Sequence, residues 1–123
     1  MPRILIIDDN EENCDVLSRR LAKRGFEVLI SSGGSAGVTM ALDDRPDVVL
    51  MDMNMPEIDG WTATTRLREK GGTMPVIALT AHAMTGDRER AIDAGCNDYH
   101  TKPVDMEKLL QQIETLLANS PSE

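Results

Sequence analysis

Apolar and polar positions along the chain form two alternating textures. Short continuous apolar runs, at residues 4–7, 48–51 and 76–79, are separated by longer stretches in which apolar residues recur every three or four positions. Runs so short, without polar alternation, read as strands of a parallel sheet covered on both faces. The longer stretches read as helices with one buried stripe. Strands are expected at residues 3–7, 26–30, 47–51, 75–79 and 97–100, and helices at 11–24, 35–44, 60–70, 85–94 and 106–118. The last helix is the clearest, with Met106, Leu109, Leu110, Ile113, Leu116 and Leu117 on one face. The first carries Cys14, Leu17 and Leu21, and Gly25 follows as a stop.

Polarity also orders the sheet. The first, third and fourth strands are apolar through their centres and belong inside. The second carries Glu27 and the fifth carries Asp98 and His100, which suits edges. An order of 2-1-3-4-5 with right-handed crossovers satisfies this. The expected class is α/β: a doubly wound, five-stranded parallel sheet with flavodoxin-like (βα)5 order. In such sheets ligands bind beyond the carboxyl ends of the strands, at the switch between the first and third. Asp8 and Asp9 follow the first strand, Asp52 the third, Thr80 the fourth and Lys102-Pro103 the fifth.

Composition narrows the setting. The 123 residues fit one domain, taken as 1–118 with a polar tail at 119–123. No apolar run approaches the roughly 20 residues that span a bilayer. No signal-peptide pattern opens the chain, so a cytoplasmic location without membrane association is expected. A net charge of −8 and a pI near 4.7 argue against direct nucleic-acid binding, which needs clustered Lys and Arg. Cys14 and Cys96 read as small buried thiols rather than a disulfide framework. His82 and His100, the only histidines, are too few and too separated for a zinc site. Gly33-Gly34 lacks the Gly-Lys-Ser/Thr of a phosphate loop.

The rim residues suggest a chemistry. Three crowded carboxylates repel one another, and some would take up protons unless a cation neutralised them. Oxygen donors with room for water suit Mg²⁺. A carboxylate can also be the nucleophile in phosphoryl transfer, giving an aspartyl phosphate. The remaining need is to hold the equatorial phosphoryl oxygens, which the Lys102 ammonium and the Thr80 hydroxyl would meet. Asp52, alone on the middle strand, is the nominated nucleophile. Each piece has a plainer reading: an Asp pair caps a helix, a Thr ends a strand, Lys-Pro is a loop. Their joint occurrence, each at the carboxyl end of its own strand, is hard to explain as capping.

From residue 4 to about residue 117 the chain resembles the receiver domain of two-component response regulators. Asp8-Asp9, Asp52 with Met-Asn-Met-Pro at 53–56, Asp59-Gly60, Thr80-Ala81, Tyr99 and Lys102-Pro103 carry the resemblance. It implies that Asp52 accepts a phosphoryl group from a phosphohistidine on a sensor histidine kinase or histidine phosphotransfer protein. It implies Mg²⁺ (or Mn²⁺) on Asp9, Asp52 and the main-chain carbonyl of Asn54, with Asp8 acting mainly through water. Thr80, Ala81 and Lys102 would hold the phosphate, and Tyr99 would be the switch aromatic. Asn54 and His82 are candidates for tuning the phosphoryl lifetime. The Lys102–Pro103 bond is expected to be cis, because the lysine must turn back to the pocket and X–Pro is where that isomer is accessible.

Such a domain is not an enzyme beyond its self-catalysed phosphorylation and dephosphorylation. It would switch the face of its fourth helix, fifth strand and fifth helix, residues 84–117, to signal in trans to a downstream protein, as a monomer or weak dimer. The Met1 start and short tail lead us to expect a free-standing regulator. The alternative is a receiver excised from a hybrid histidine kinase or larger regulator, whose wording around 78–84 and 95–103 is similar. A rival of another class is a haloacid-dehalogenase-like phosphatase, but it needs Asp-x-Asp on the first strand, which Asp8-Asp9-Asn10 does not supply. A pseudo-receiver would lack the acceptor, the acidic pair or the lysine.

Overall fold

The computed structural model describes residues 2–81 and 87–119. Elements alternate as β1 (Arg3–Ile7), α1 (Glu11–Lys23), β2 (Glu27–Ser31), α2 (Gly34–Asp44), β3 (Val48–Asp52), α3 (Gly60–Glu69), β4 (Val76–Thr80), α4 (Asp87–Ala94), β5 (Asp98–Thr101) and α5 (Met106–Asn119). The strands pair in parallel in the order β2-β1-β3-β4-β5. Fold class and strand order are those the hydrophobic pattern predicts. His82, the expected first residues of the fourth helix at 85–86 and the tail from 120 lie outside the described residues.

The sheet explains its own sequence. Along β1, β3 and β4, Leu5, Ile7, Val49, Met51, Val76 and Ala78 pack toward α2, α3 and α4. Their neighbours Ile4, Ile6, Val48, Leu50, Ile77 and Leu79 pack toward α1 and α5. Because both faces are covered, every centre position is apolar and the runs are continuous. Among the described residues no helix is long and apolar enough to cross a membrane.

One detail differs from the sequence reading: β2 to β5 each begin and end one residue later than the apolar pattern suggested. The cause is that backbone pairing does not stop where polarity changes. Met53 N–H donates to Leu79 O at 3.0 Å and Lys102 N–H to Thr80 O at 2.7 Å. Asp52 and Thr80 are therefore the last residues of their strands, not the first of their loops. β5 is an edge strand as its polarity predicts, yet His100 is only 2% exposed. Its polarity is spent on hydrogen bonds to α5, not on water.

Helix starts are set by side-chain caps. Asn10 accepts from Asn13 N–H at 3.0 Å and Asp59 from Thr62 N–H at 2.8 Å. Asp105 accepts from Lys108 N–H at 3.3 Å. Glu11 and Glu12 in the first turn of α1, with Arg20 and Lys23 in its last, complement the helix dipole.

Candidate functional site

The carboxyl ends of β1, β3, β4 and β5 bring the polar residues to one rim. Asp8 directly follows β1 and is 3% exposed, while Asp52 and Thr80 close β3 and β4 at 4% each. Asp9 is exposed beside them. Carboxylate oxygens of Asp8, Asp9 and Asp52 lie within 4.8 Å of one another. Lys102 reaches in from the β5–α5 loop, its Nζ 3.3 Å from Asp52 Oδ1 and 3.5 Å from Asp8 Oδ2. The Lys102–Pro103 peptide bond is cis.

Local backbone fixes each carboxylate. Asp8 Oδ1 accepts from Asn10 N–H at 2.9 Å and Asp52 Oδ1 from Asn54 N–H at 3.2 Å. The β3–α3 loop turns tightly back onto the end of β3. Glu57 takes a left-handed φ of 70°, and Gly60 N–H donates to Met53 O at 3.1 Å. A Cβ at Gly60 would sit 2.5 Å from Asp52 O and 2.8 Å from Met53 Cα, so only glycine lets α3 begin this close to the acceptor strand.

Electrostatically the rim is over-supplied with negative charge. Burial pushes the Asp52 carboxyl above its ordinary value of 3.8; the Asn54 N–H opposes that, the Asp8 charge adds to it, and Lys102 opposes it. One ammonium is shared between two buried carboxylates. The residual charge and the all-oxygen donor set suit a hard divalent cation, so the residues fit Mg²⁺. Cys14 lies on α1 beneath the cluster and its thiol donates to Asp8 O at 3.4 Å. Burial, then Asp8, Asp52 and Asp9, raise that thiol to about 11, so Cys14 is a protonated packing group.

The structure brings Asp8, Asp9, Asp52, Thr80 and Lys102 to one rim, with Asn54 and Ala81 exposed at its margin. Tyr99 stands further back, half-buried on β5 with its ring packed on the α2–α3–α4 side. His82 lies outside the described residues. Sequence reasoning missed Gln112, whose amide on α5 holds Asp98, Tyr99 and His100 together. Its only signal was a polar residue facing an edge strand. It also missed that Arg90 sits 4.5 Å above the Trp61 ring, joining α4 to α3.

Comparisons with known proteins place this geometry. A family model for the response regulator receiver domain matches residues 4–114. The DNA-binding dual master transcriptional regulator RpaA of Synechocystis is 39% identical over 119 residues, 95% of this chain and 49% of that protein. Hybrid signal transduction histidine kinase I of Dictyostelium discoideum is 36% identical over 122 residues, 92% of this chain but 7% of that protein. The chain thus spans about half the length of the first regulators it matches, and less of the kinase. Among solved structures, the receiver domain of sensor histidine kinase PA1611 from Pseudomonas aeruginosa superposes with a TM-score of 0.88 at 35% identity, covering 96% of this chain and 98% of that one. That protein has magnesium coordinated in its active site cleft. The Francisella response regulator 1452 receiver domain shares the fold at a TM-score of 0.92 and 24% identity, over 98% of this chain and 100% of its own. None of these findings supports a haloacid-dehalogenase-like phosphatase. The chain belongs to the response regulator receiver domains of two-component systems, a signalling fold rather than a conventional enzyme family.

Proposed function

We propose that this receiver, working in the cytoplasm, takes a phosphoryl group onto Asp52 from a phosphohistidine of a sensor histidine kinase or histidine phosphotransfer protein. The observation that carries the reading is Asp52 itself: 4% exposed, its oxygen 3.3 Å from the Lys102 ammonium, inside a cluster of three carboxylates. An Asp52 oxygen forms the new P–O bond as the P–N bond of the donor breaks and the imidazole leaves. Lys102 and the Thr80 hydroxyl hold the equatorial oxygens. Asp9, Asp52 and the Asn54 carbonyl would hold Mg²⁺ or Mn²⁺, with Asp8 through water, and the bound ion would neutralise phosphoryl charge. A macromolecular donor would dock beside Asp8 and Lys102, where Val16 is an exposed apolar residue at the edge of a cleft, 52% accessible.

The phosphorylated form signals to a protein target through α4, β5 and α5. A phosphoryl group offers Thr80 a strong new acceptor, its hydroxyl moves inward, and Tyr99 turns toward the space it leaves. The sheet stays fixed while the face changes. The test is labelling by a phosphohistidine donor with Mg²⁺. Wild type gains one hydroxylamine-labile phosphoryl group, and Asp52→Asn or a chelator abolishes it. Undiminished labelling of Asp52→Asn overturns the assignment.

A further inference from the structure

Lys102 sits in the loop between β5 and α5, and something must hold that loop still if the ammonium is to meet the phosphoryl oxygens. At one end the sheet does so: Lys102 N–H donates to Thr80 O at 2.7 Å. At the other end a side chain does so. His100, buried at 2% exposure, accepts the Asp105 N–H on Nε2 at 3.1 Å. Asp105 is the cap of α5; its carbonyl accepts Leu109 N–H at 2.9 Å and its carboxylate accepts Lys108 N–H. The imidazole therefore ties the end of the strand to the start of the helix, across the turn that carries Lys102.

The role of each ring nitrogen follows from Gln112. Its Nε2 donates to Asp98 Oδ2 at 2.9 Å and to Tyr99 O at 2.8 Å, so Oε1 is the atom facing His100 Nδ1 at 2.8 Å. An amide oxygen can only accept, so Nδ1 carries the hydrogen and Nε2 offers its lone pair to Asp105. Every polar atom of the ring and of the Gln112 amide is thereby used, which orients the imidazole on both sides.

We propose that His100, oriented by Gln112, is the positioning residue for Lys102 and sets how well this receiver grips a phosphoryl group. The proposal rests on the reading of Asp52 and Lys102 given above. It assigns His100 no contact with the phosphate, only control over the loop that delivers the ammonium. The residues that would hold Mg²⁺ lie just after β1, at the end of β3 and in the β3–α3 loop, so the same control does not extend to the metal.

Beryllofluoride, a phosphoryl analogue, separates the two. Its affinity in saturating Mg²⁺, read by fluorine NMR, is compared with Mg²⁺ affinity alone, read from Trp61 fluorescence. The variants are H100Q, whose amide oxygen reaches the place of Nε2, and H100N, whose shorter side chain does not. H100Q should bind beryllofluoride within about twofold of wild type and H100N about tenfold more weakly, the scale of one buried hydrogen bond. Mg²⁺ affinity should be the same in all three. H100N binding beryllofluoride like wild type overturns the role of His100, and so does a parallel loss of Mg²⁺ affinity, which would mark a merely structural residue. Wild type failing to bind beryllofluoride at all overturns the phosphoacceptor reading itself and the role of His100 with it.

Discussion

The two rims of the sheet handle buried charge in opposite ways. At the amino ends of β4 and β5, the half-buried Arg68 guanidinium donates to Gly95 O at 2.9 Å, Met74 O at 2.7 Å, Gly72 O at 3.1 Å and Asn97 Oδ1 at 2.9 Å. Its acceptors are neutral, and Asn97 Oδ1 also takes the Val76 N–H at 2.9 Å. Burial lowers the guanidinium pKa, yet the charge is dispersed over carbonyls that would otherwise end a helix or a turn unpaired. At the carboxyl ends, Asp8 and Asp52 share a single ammonium and face Asp9 besides. The first rim converts a charge into structure. The second keeps a surplus of negative charge that suits a hard divalent cation, at some expense in stability.

Breaking the amino rim should have the largest effect on stability. Arg68→Met removes all four hydrogen bonds while keeping the aliphatic stem, and should lower the unfolding free energy by about 3 kcal/mol in urea titration. Mg²⁺ affinity at the far rim should not change. Gly60→Ala comes next. A methyl group against Asp52 O and Met53 should cost about 2 kcal/mol by overpacking and, unlike Arg68→Met, should weaken Mg²⁺ binding in calorimetry.

The third effect is smaller and depends on pH. Because the folded protein raises the Asp52 carboxyl pKa, the ionised group is less favourable folded than unfolded. That penalty is full above the raised value and disappears as the pH falls through it toward the ordinary 3.8. Without Mg²⁺, the melting temperature of wild type should therefore rise relative to that of Asp52→Asn as the pH falls from neutral toward 4. The smallest effect is a control outside both rims. Asp15→Ala breaks an exposed pair with Arg19 at 3.1 Å and should leave the melting temperature within error.

The difference between the rims also explains what was legible in the sequence. Asp8, Asp9, Asp52, Thr80 and Lys102 stand out because each interrupts or follows an apolar run, so pattern and chemistry point to the same positions. Fold order was legible for the same reason: continuous apolar runs mark inner strands and charged ones mark edges. Arg68 was silent. A basic residue in the last turn of a helix looks like any solvated, dipole-complementing arginine, and its acceptors are backbone carbonyls, which leave no trace in side-chain identity. His100 marks β5 as an edge strand, as the topology has it, but its burial was not legible because its partner, Gln112, is twelve positions away and ordinary in type. The strand ends are not legible to the residue because polarity changes before pairing ceases.

If the negative charge at the carboxyl rim is balanced by a divalent cation instead of by the fold, metal binding and Asp52 are linked through stability. Melting wild type and Asp52→Asn at neutral pH, each with and without Mg²⁺, reads that link. Metal-free Asp52→Asn should melt above metal-free wild type, and Mg²⁺ should raise wild type while barely moving the variant. An Asp52→Asn protein that melts lower without metal, or gains as much from Mg²⁺ as wild type does, would show that this rim holds no such surplus.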